Sequence, residues 1–207
     1  MGQYYKAVLG EGDMIRVLNP RDFGHYLKIM EHSWICNDFV NSVYRLILDN
    51  PKRVTWIGDY AKSVNYPALK KINKDLPAKS VMNIYYKRAW ESTKQKYMVF
   101  PVEIPMKEEE LMKLLVDETR KKYLINHTKG IYLDVNSYIK KNRKEDDWII
   151  NPLPLLTAYG NGLGLGGGDY FSEIGRKDVG SWAFNILEFS YVKPQGYVEK
   201  NYEFYEP

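Results

Sequence analysis

Apolar residues along the first sixty positions switch between two periods. Tyr4 to Leu9 and Met14 to Leu18 are short strand-like runs on either side of Gly10-Glu11-Gly12-Asp13, so the pattern predicts a hairpin closed by turn residues. Asn19-Pro20-Arg21-Asp22 stops the second strand. From 38 to 49 the period lengthens. Phe39, Val40, Val43, Tyr44 and Ile47 fall at i, i+1, i+4, i+5 and i+8, one face of a helix. Asn37 or Asp38 caps its start and Asn50-Pro51 ends it. Arg53 to Ile57 is a short strand carrying Trp56 and closed by Gly58-Asp59.

The second half repeats the alternation. A helix is predicted over 107–120, with Glu108, Glu109 and Glu110 in its first turn and Arg120, Lys121 and Lys122 at its end, both complementing the helix dipole. A second hairpin runs from Tyr123 to Thr128, turns at Lys129-Gly130 and returns through Ile131 to Val135. A polar helix-like stretch (137–146), the Trp148-Ile149-Ile150 run and an apolar strand from Leu155 to Tyr159 follow. Ser181 to Tyr191 reads as the last long strand, with Trp182, Phe184, Ile186 and Glu188 on one side. At 207 residues the chain has room for one domain. Hairpins mixed with a few helices predict a single α+β domain over 1–207, its sheet mostly antiparallel with flanking helices.

No apolar run approaches the ~20 residues that span a bilayer, and the opening Met1-Gly2-Gln3-Tyr4-Tyr5-Lys6 carries no secretory pattern. A cytoplasmic protein without a membrane partner is the expectation. The single cysteine, Cys36, has no internal disulfide partner and is read as a buried, inert thiol, with a reactive one as the other reading. No motif calls for a metal or a cofactor.

Charge changes the picture more. The net of +4 hides a middle section: Lys52 to Lys96 holds 11 basic and 3 acidic residues, so the rest of the chain is net negative. The same section carries Trp56, Tyr60, Tyr66, Tyr85, Tyr86 and Trp90. Cations neutralise phosphates, and flat rings offer faces on which bases stack. Lys70, Lys71, Tyr85, Tyr86, Lys87, Arg88 and Trp90 are therefore candidate contacts for nucleic acid. An acidic groove on a nucleic-acid-handling enzyme, such as a host defence nuclease, fits the same residues. A solvated lysine face with tyrosines packed on the sheet is the plain reading.

Residues 160–170 hold six glycines. Gly162, Gly164 and Gly167 match G-x-G-x-x-G formally, but no amphipathic helix pattern follows, and no Gly-Lys-Ser/Thr ends the run. Neither dinucleotide nor P-loop binding is expected. Two readings stay open: a surface loop whose glycines allow positive φ or close backbone approach, and an amide-lined concavity for a small anionic or polar ligand. In the second, Gly166, Gly167 and Gly168 line the site, Asp169 orients a ligand hydroxyl or amine, and Tyr170 stacks on it.

Three histidines exist. His25 and His32 share a face if 22–34 is helical, without metal-binding spacing, and each is read as structural. His127 shares a strand side with Tyr123 and Ile125, and becomes a general base if Asp134 or Asp169 lies within reach. Asp59, at a strand end, is a candidate functional carboxylate or a turn cap.

The chain resembles a group of small bacterial and mobile-element proteins with no settled activity. The likeness rests on Met1-Gly2-Gln3-Tyr4-Tyr5, Met30-Glu31-His32-Ser33-Trp34, Ile57-Gly58-Asp59-Tyr60, Asn126-His127-Thr128-Lys129, and Pro152-Leu153-Pro154-Leu155-Leu156-Thr157-Ala158 with the glycine run. The resemblance implies a setting of conflict between cell and phage, in which small proteins bind and regulate nucleic-acid machinery, and it assigns no catalytic residue. A non-enzymatic interaction protein working through 52–97 is the leading expectation. The alternative is a small-ligand or nucleotide-binding protein, or a phosphoester hydrolase, using the glycine run with His127 and Asp169.

Overall fold

The computed structural model describes residues 3–11, 14–59, 98–100, 107–143, 148–159 and 169–205. The first predicted hairpin is present: β1 (Tyr5–Glu11) pairs antiparallel with β2 (Met14–Leu18), with Ala7 opposite Leu18. β3 (Lys52–Gly58) pairs antiparallel with the other edge of β1, setting Trp56 opposite Ala7. β4 (Met98–Phe100) lies parallel to β2. The second hairpin is β5 (Tyr123–Asn126) and β6 (Ile131–Asp134). Two-residue β7 (Ala158–Tyr159) runs parallel to β3. β8 (Asn185–Ser190) bridges the halves by pairing antiparallel with both β3 and β5, and β9 (Val198–Glu199) runs parallel to β6. The spatial order is β4-β2-β1-β3-β8-β5-β6-β9, with β7 beside β3. This is the expected α+β domain with a mostly antiparallel sheet.

Helices cover the apolar side of that sheet. α1 (Ile29–His32) and α2 (Asp38–Leu46) come from the first half. α3 (Glu108–Val116), α4 (Val135–Asn142) and α5 (Pro152–Thr157) come from the second. Phe39, Val43 and Tyr44 of α2, Leu115 of α3, Tyr138 of α4 and Leu153 of α5 join Leu9, Trp56, Leu124, Leu187 and Phe189 of the strands in one buried core. Asn37 caps α2 by accepting from the Val40 N–H at 3.1 Å, as its position predicts. Phe39 is fully buried and meets Trp56 edge-on at 5.8 Å, so Phe39→Ala costs about 3–5 kcal/mol.

Several boundaries differ from expectation, each for a local reason. Residues 22–34 are not one helix: a 3-10 turn (Pro20–Phe23) closes at Gly24, with φ 76, before α1 begins. The helix expected over 107–120 stops at Val116, where Asp117 accepts from the Thr119 N–H at 2.9 Å and Lys122 donates to the carbonyls of Asp117 and Arg120. The helix expected at 137–146 starts at Val135, because Asp134 caps it through the Ser137 N–H at 2.9 Å.

The strand expected at Leu155–Tyr159 is largely helix. Asn151 accepts from the Leu153 N–H at 3.1 Å, and both prolines sit in the first turn, where a missing N–H costs nothing. α5 is apolar because it is buried throughout, so it shows no stripe. The strand expected from Ser181 begins only at Asn185, after a turn in which Phe184 takes φ 61. That turn changes the parity of buried positions: Trp182 is buried before it, and Leu187 and Phe189 after it.

Candidate functional site

The residues that precede the two segments singled out by composition are neighbours in the sheet. β3 and β7 pair Ile57 with Tyr159, so the described residues that precede 60–97 and 160–168 in the sequence lie on neighbouring strands. The chain returns at Asp169, whose carboxylate accepts from the Gln3 N–H at 3.3 Å. Gln3 precedes β1, and Tyr5 of β1 lies opposite Gly58. Asp59 accepts from the Tyr4 N–H at 3.1 Å, while its own N–H donates to the Tyr4 carbonyl at 2.9 Å. Burial raises the pKa of the Tyr5 hydroxyl far above the ordinary phenol value, and the nearby carboxylates of Asp169 and Asp59 raise it further. Two carboxylates named as separate candidates thus face one neutral phenol.

Tyr170 is differently used. Its ring is buried and meets Phe204 edge-on at 5.6 Å. Its hydroxyl donates to the Ile174 carbonyl and accepts from the Tyr205 N–H at 2.9 Å. The ring clasps the C-terminal segment instead of offering a stacking face to a ligand. Asp169 is also buried, at 4% exposure, rather than standing free at a loop edge. Gly166, Gly167 and Gly168 lie outside the described residues, as do Lys70, Lys71, Tyr85, Tyr86, Lys87, Arg88 and Trp90. Of the basic section, Lys52 and Arg53 are described. Lys52 donates to the Leu46 carbonyl at 2.9 Å and Arg53 to that of Phe184, so both cations brace the start of β3.

His127 follows β5 and stands at a half-exposed rim, as its parity predicts. The carboxylate that reaches it is neither Asp134, which caps α4, nor Asp169. It is Glu188 of β8, at 2.7 Å from Nε2. The register explains this: β5 and β8 pair Ile125 with Glu188, one strand pitch from His127 on the same side. The Tyr197 hydroxyl lies 2.9 Å from Nδ1. In the neutral ring Glu188 accepts the Nε2 proton, leaving Nδ1 to accept from Tyr197. A carboxylate, an imidazole and a phenol in that order have the chemistry that an orienter, a base and a nucleophile require. Glu188 and Tyr197 were invisible as partners because β-pairing across sixty residues leaves no local signal.

The other histidines are spoken for. His32 is fully buried, bonded through Nδ1 to the Tyr26 carbonyl and through Nε2 to the Trp56 indole. His25 contacts the Asp38 carboxylate. Cys36 is half-buried, not buried as expected, and its partial burial raises the thiol pKa, so it stays protonated. Among the described residues no group of three His, Cys, Asp or Glu is arranged to hold a metal ion, and no helix is long and apolar enough to cross a membrane. No family model, no curated protein and no solved structure matches the chain.

Proposed function

We propose that the protein is a non-enzymatic binding protein that engages nucleic acid through the basic, aromatic segment 60–97. The observation that carries this reading is the concentration of cations and aromatic rings in that segment, which follows β3 where Ile57 pairs with Tyr159, the residue before the glycine run. Lys52 and Arg53 before it donate to backbone carbonyls, whereas segment 60–97 carries nine cations, the residue type that neutralises phosphates. Tyrosines and tryptophans among them supply stacking faces. Gel-shift titration with single-stranded RNA and DNA at low and at physiological salt tests it. Binding that weakens steeply with salt supports the reading, and absence of binding at low salt sinks it.

A second reading has its own observation, the Glu188–His127–Tyr197 arrangement. In it the protein hydrolyses a phosphoester, with His127 as general base and Tyr197 as the group it activates. Hydrolysis of bis(p-nitrophenyl) phosphate is the test. His127→Ala should lower any such rate by about 10²–10⁴-fold. A rate equal to that of buffer, or one unchanged in His127→Ala, rules this reading out.

A further inference from the structure

A cleft of about 1080 Å³ opens on the helical side of the protein, between the 33–38 connection, α3, α4 and the residues before α5. That volume matches the upper end of small-molecule sites, which run to about 1,000 Å³. Its position follows from a short backbone ladder. The Ile35 N–H donates to the Ile149 carbonyl and the Asn151 N–H to the Ser33 carbonyl, each at 2.9 Å, with Trp34 bridged to Ile150. The ladder brings Trp34 and Trp148 together edge to face, their ring centres 5.6 Å apart and their planes crossing at 74°. Trp148 is 76% exposed, an unusual state for the largest apolar side chain, and Met112 and Val116 of α3 are exposed on the facing wall.

A second cleft of about 450 Å³ adjoins the first and shares Val116, Ile139 and Arg143 with it. Its chemistry is opposite. Lys121, Lys140 and Arg143 line it with one carboxylate, Glu118. The Arg143–Glu118 pair is exposed on both sides and 3.4 Å long, a weak contact that a stronger anion can replace. Lys121 and Lys140 have no ion-pair partner among the described residues. An aromatic corner thus opens directly onto a cluster of cations.

We propose that these joined clefts bind a nucleotide: the base lies against Trp148 in the corner with Trp34, and the phosphate sits among Arg143, Lys140 and Lys121. The shared wall sets the two subsites side by side, as base and phosphate are in one nucleotide. A flat ring gains contact with an exposed indole face, and the phosphate gains charge-assisted hydrogen bonds from the guanidinium and ammonium groups. The same chemistry is offered by a free nucleotide and by one unit of a strand. None of the residues named for this site belongs to segment 60–97, so it does not depend on the reading given above.

Cys36 lines the larger cleft and is the chain's one cysteine, so it reports occupancy without a label. The test follows Cys36 alkylation by iodoacetamide at alkaline pH, where a thiolate fraction forms and reacts, and calorimetry, while the whole protein is titrated with AMP. Adenosine and ribose 5-phosphate are run as half-ligands, and a 5′-phosphorylated oligoadenylate as the strand form. AMP should slow alkylation saturably, and each half-ligand should bind at least about tenfold more weakly. Trp148→Ala, at an exposed position, should weaken AMP by about 5- to 150-fold, the range of one base stack. Arg143→Ser with Lys140→Ser should weaken AMP but leave adenosine unchanged. Tighter binding of AMP than of the oligonucleotide identifies a free nucleotide as the ligand, and the reverse identifies a strand. Absence of saturable heat and of Cys36 protection at millimolar AMP and oligonucleotide overturns the proposal, as does binding unchanged in both variants. A Trp148→Phe variant that keeps AMP binding separates loss of stacking from loss of fold.

Discussion

The Trp56 indole N–H donates to Nε2 of His32 at 3.1 Å, and this bond fixes the protonation state that the core contains. An indole only donates, so Nε2 carries no proton; the ring's proton sits on Nδ1 and is donated to the Tyr26 carbonyl at 3.1 Å. Burial lowers the His32 pKa from 6.5 to about 3, against the smaller opposing effect of that carbonyl.

Stability should therefore fall in acid. Between pH 6.5 and about 3 the unfolded chain binds a proton that folded His32 does not. The contribution of neutral His32 is fully present above that window and is lost as pH drops through it, by at most about 1.4 kcal/mol per pH unit. Urea unfolding at neutral and mildly acid pH measures the slope. His32→Gln retains a donor and an acceptor without titrating. It should lower the midpoint at neutral pH and flatten the decline. A decline as steep in the variant would assign the acid sensitivity to other groups.

Glycines of the same φ sign should differ in cost. Gly175 has φ 73, and a Cβ there would lie 2.1 Å from the Glu203 carbonyl oxygen and 2.7 Å from Phe204. Gly130 and Gly196 also have positive φ, but a Cβ on either meets open space. Gly130→Ala and Gly196→Ala should each cost about 1–2 kcal/mol, the left-handed penalty alone. Gly175→Ala should cost clearly more, because the backbone of 203–204 must move off the core. Thermal unfolding of the three variants decides it, and equal costs would mean that the C-terminal segment yields freely.

Elements with a strong period were readable from the chain: the β1–β2 hairpin, α2 with its Asn37 cap, and the β5–β6 hairpin all lie where alternation and turn residues put them. α5 was misread because burial on all sides removes the polar face that marks a helix. The candidate site was readable by residue but not by partner. His127 stood out as a rim histidine, whereas Glu188 reaches it only through the β5–β8 register. Trp148 carried no sign of its role, because its environment depends on the ladder between 33–35 and 149–151.

The C-terminal segment is held by a second indole bond. Trp182, fully buried, donates to the Tyr202 hydroxyl at 2.8 Å, and the rings meet edge to face at 5.5 Å. Tyr202→Phe preserves the packing and removes the acceptor. It should cost about 1–3 kcal/mol, the penalty of a buried donor left unpaired. Adding Trp182→Phe removes the orphaned donor, so the double variant should be less destabilised than the two single losses added together. Additive losses in a double-mutant cycle would show that the hydrogen bond contributes nothing beyond packing.

Charge and stacking in segment 60–97 should separate by their salt dependence. Each phosphate contact to a single strand steepens the plot of log affinity against log salt by about 0.7. Lys87→Ser with Arg88→Ser should weaken binding at low salt and reduce that slope by about 1.4, the value for two contacts. Trp90→Ala removes a ring and no charge, so it should weaken binding by a similar factor at every salt concentration. Asp59 lies at the start of the segment, holding the Tyr4 N–H through an oxygen that asparagine also supplies. Asp59→Asn removes the negative charge that immediately precedes the segment in sequence and should tighten binding at low salt, with the gain fading as salt screens it. Fluorescence anisotropy across a salt series reads all three. A slope unchanged by loss of both cations would move the phosphate contacts away from Lys87 and Arg88 and leave the segment without its proposed role.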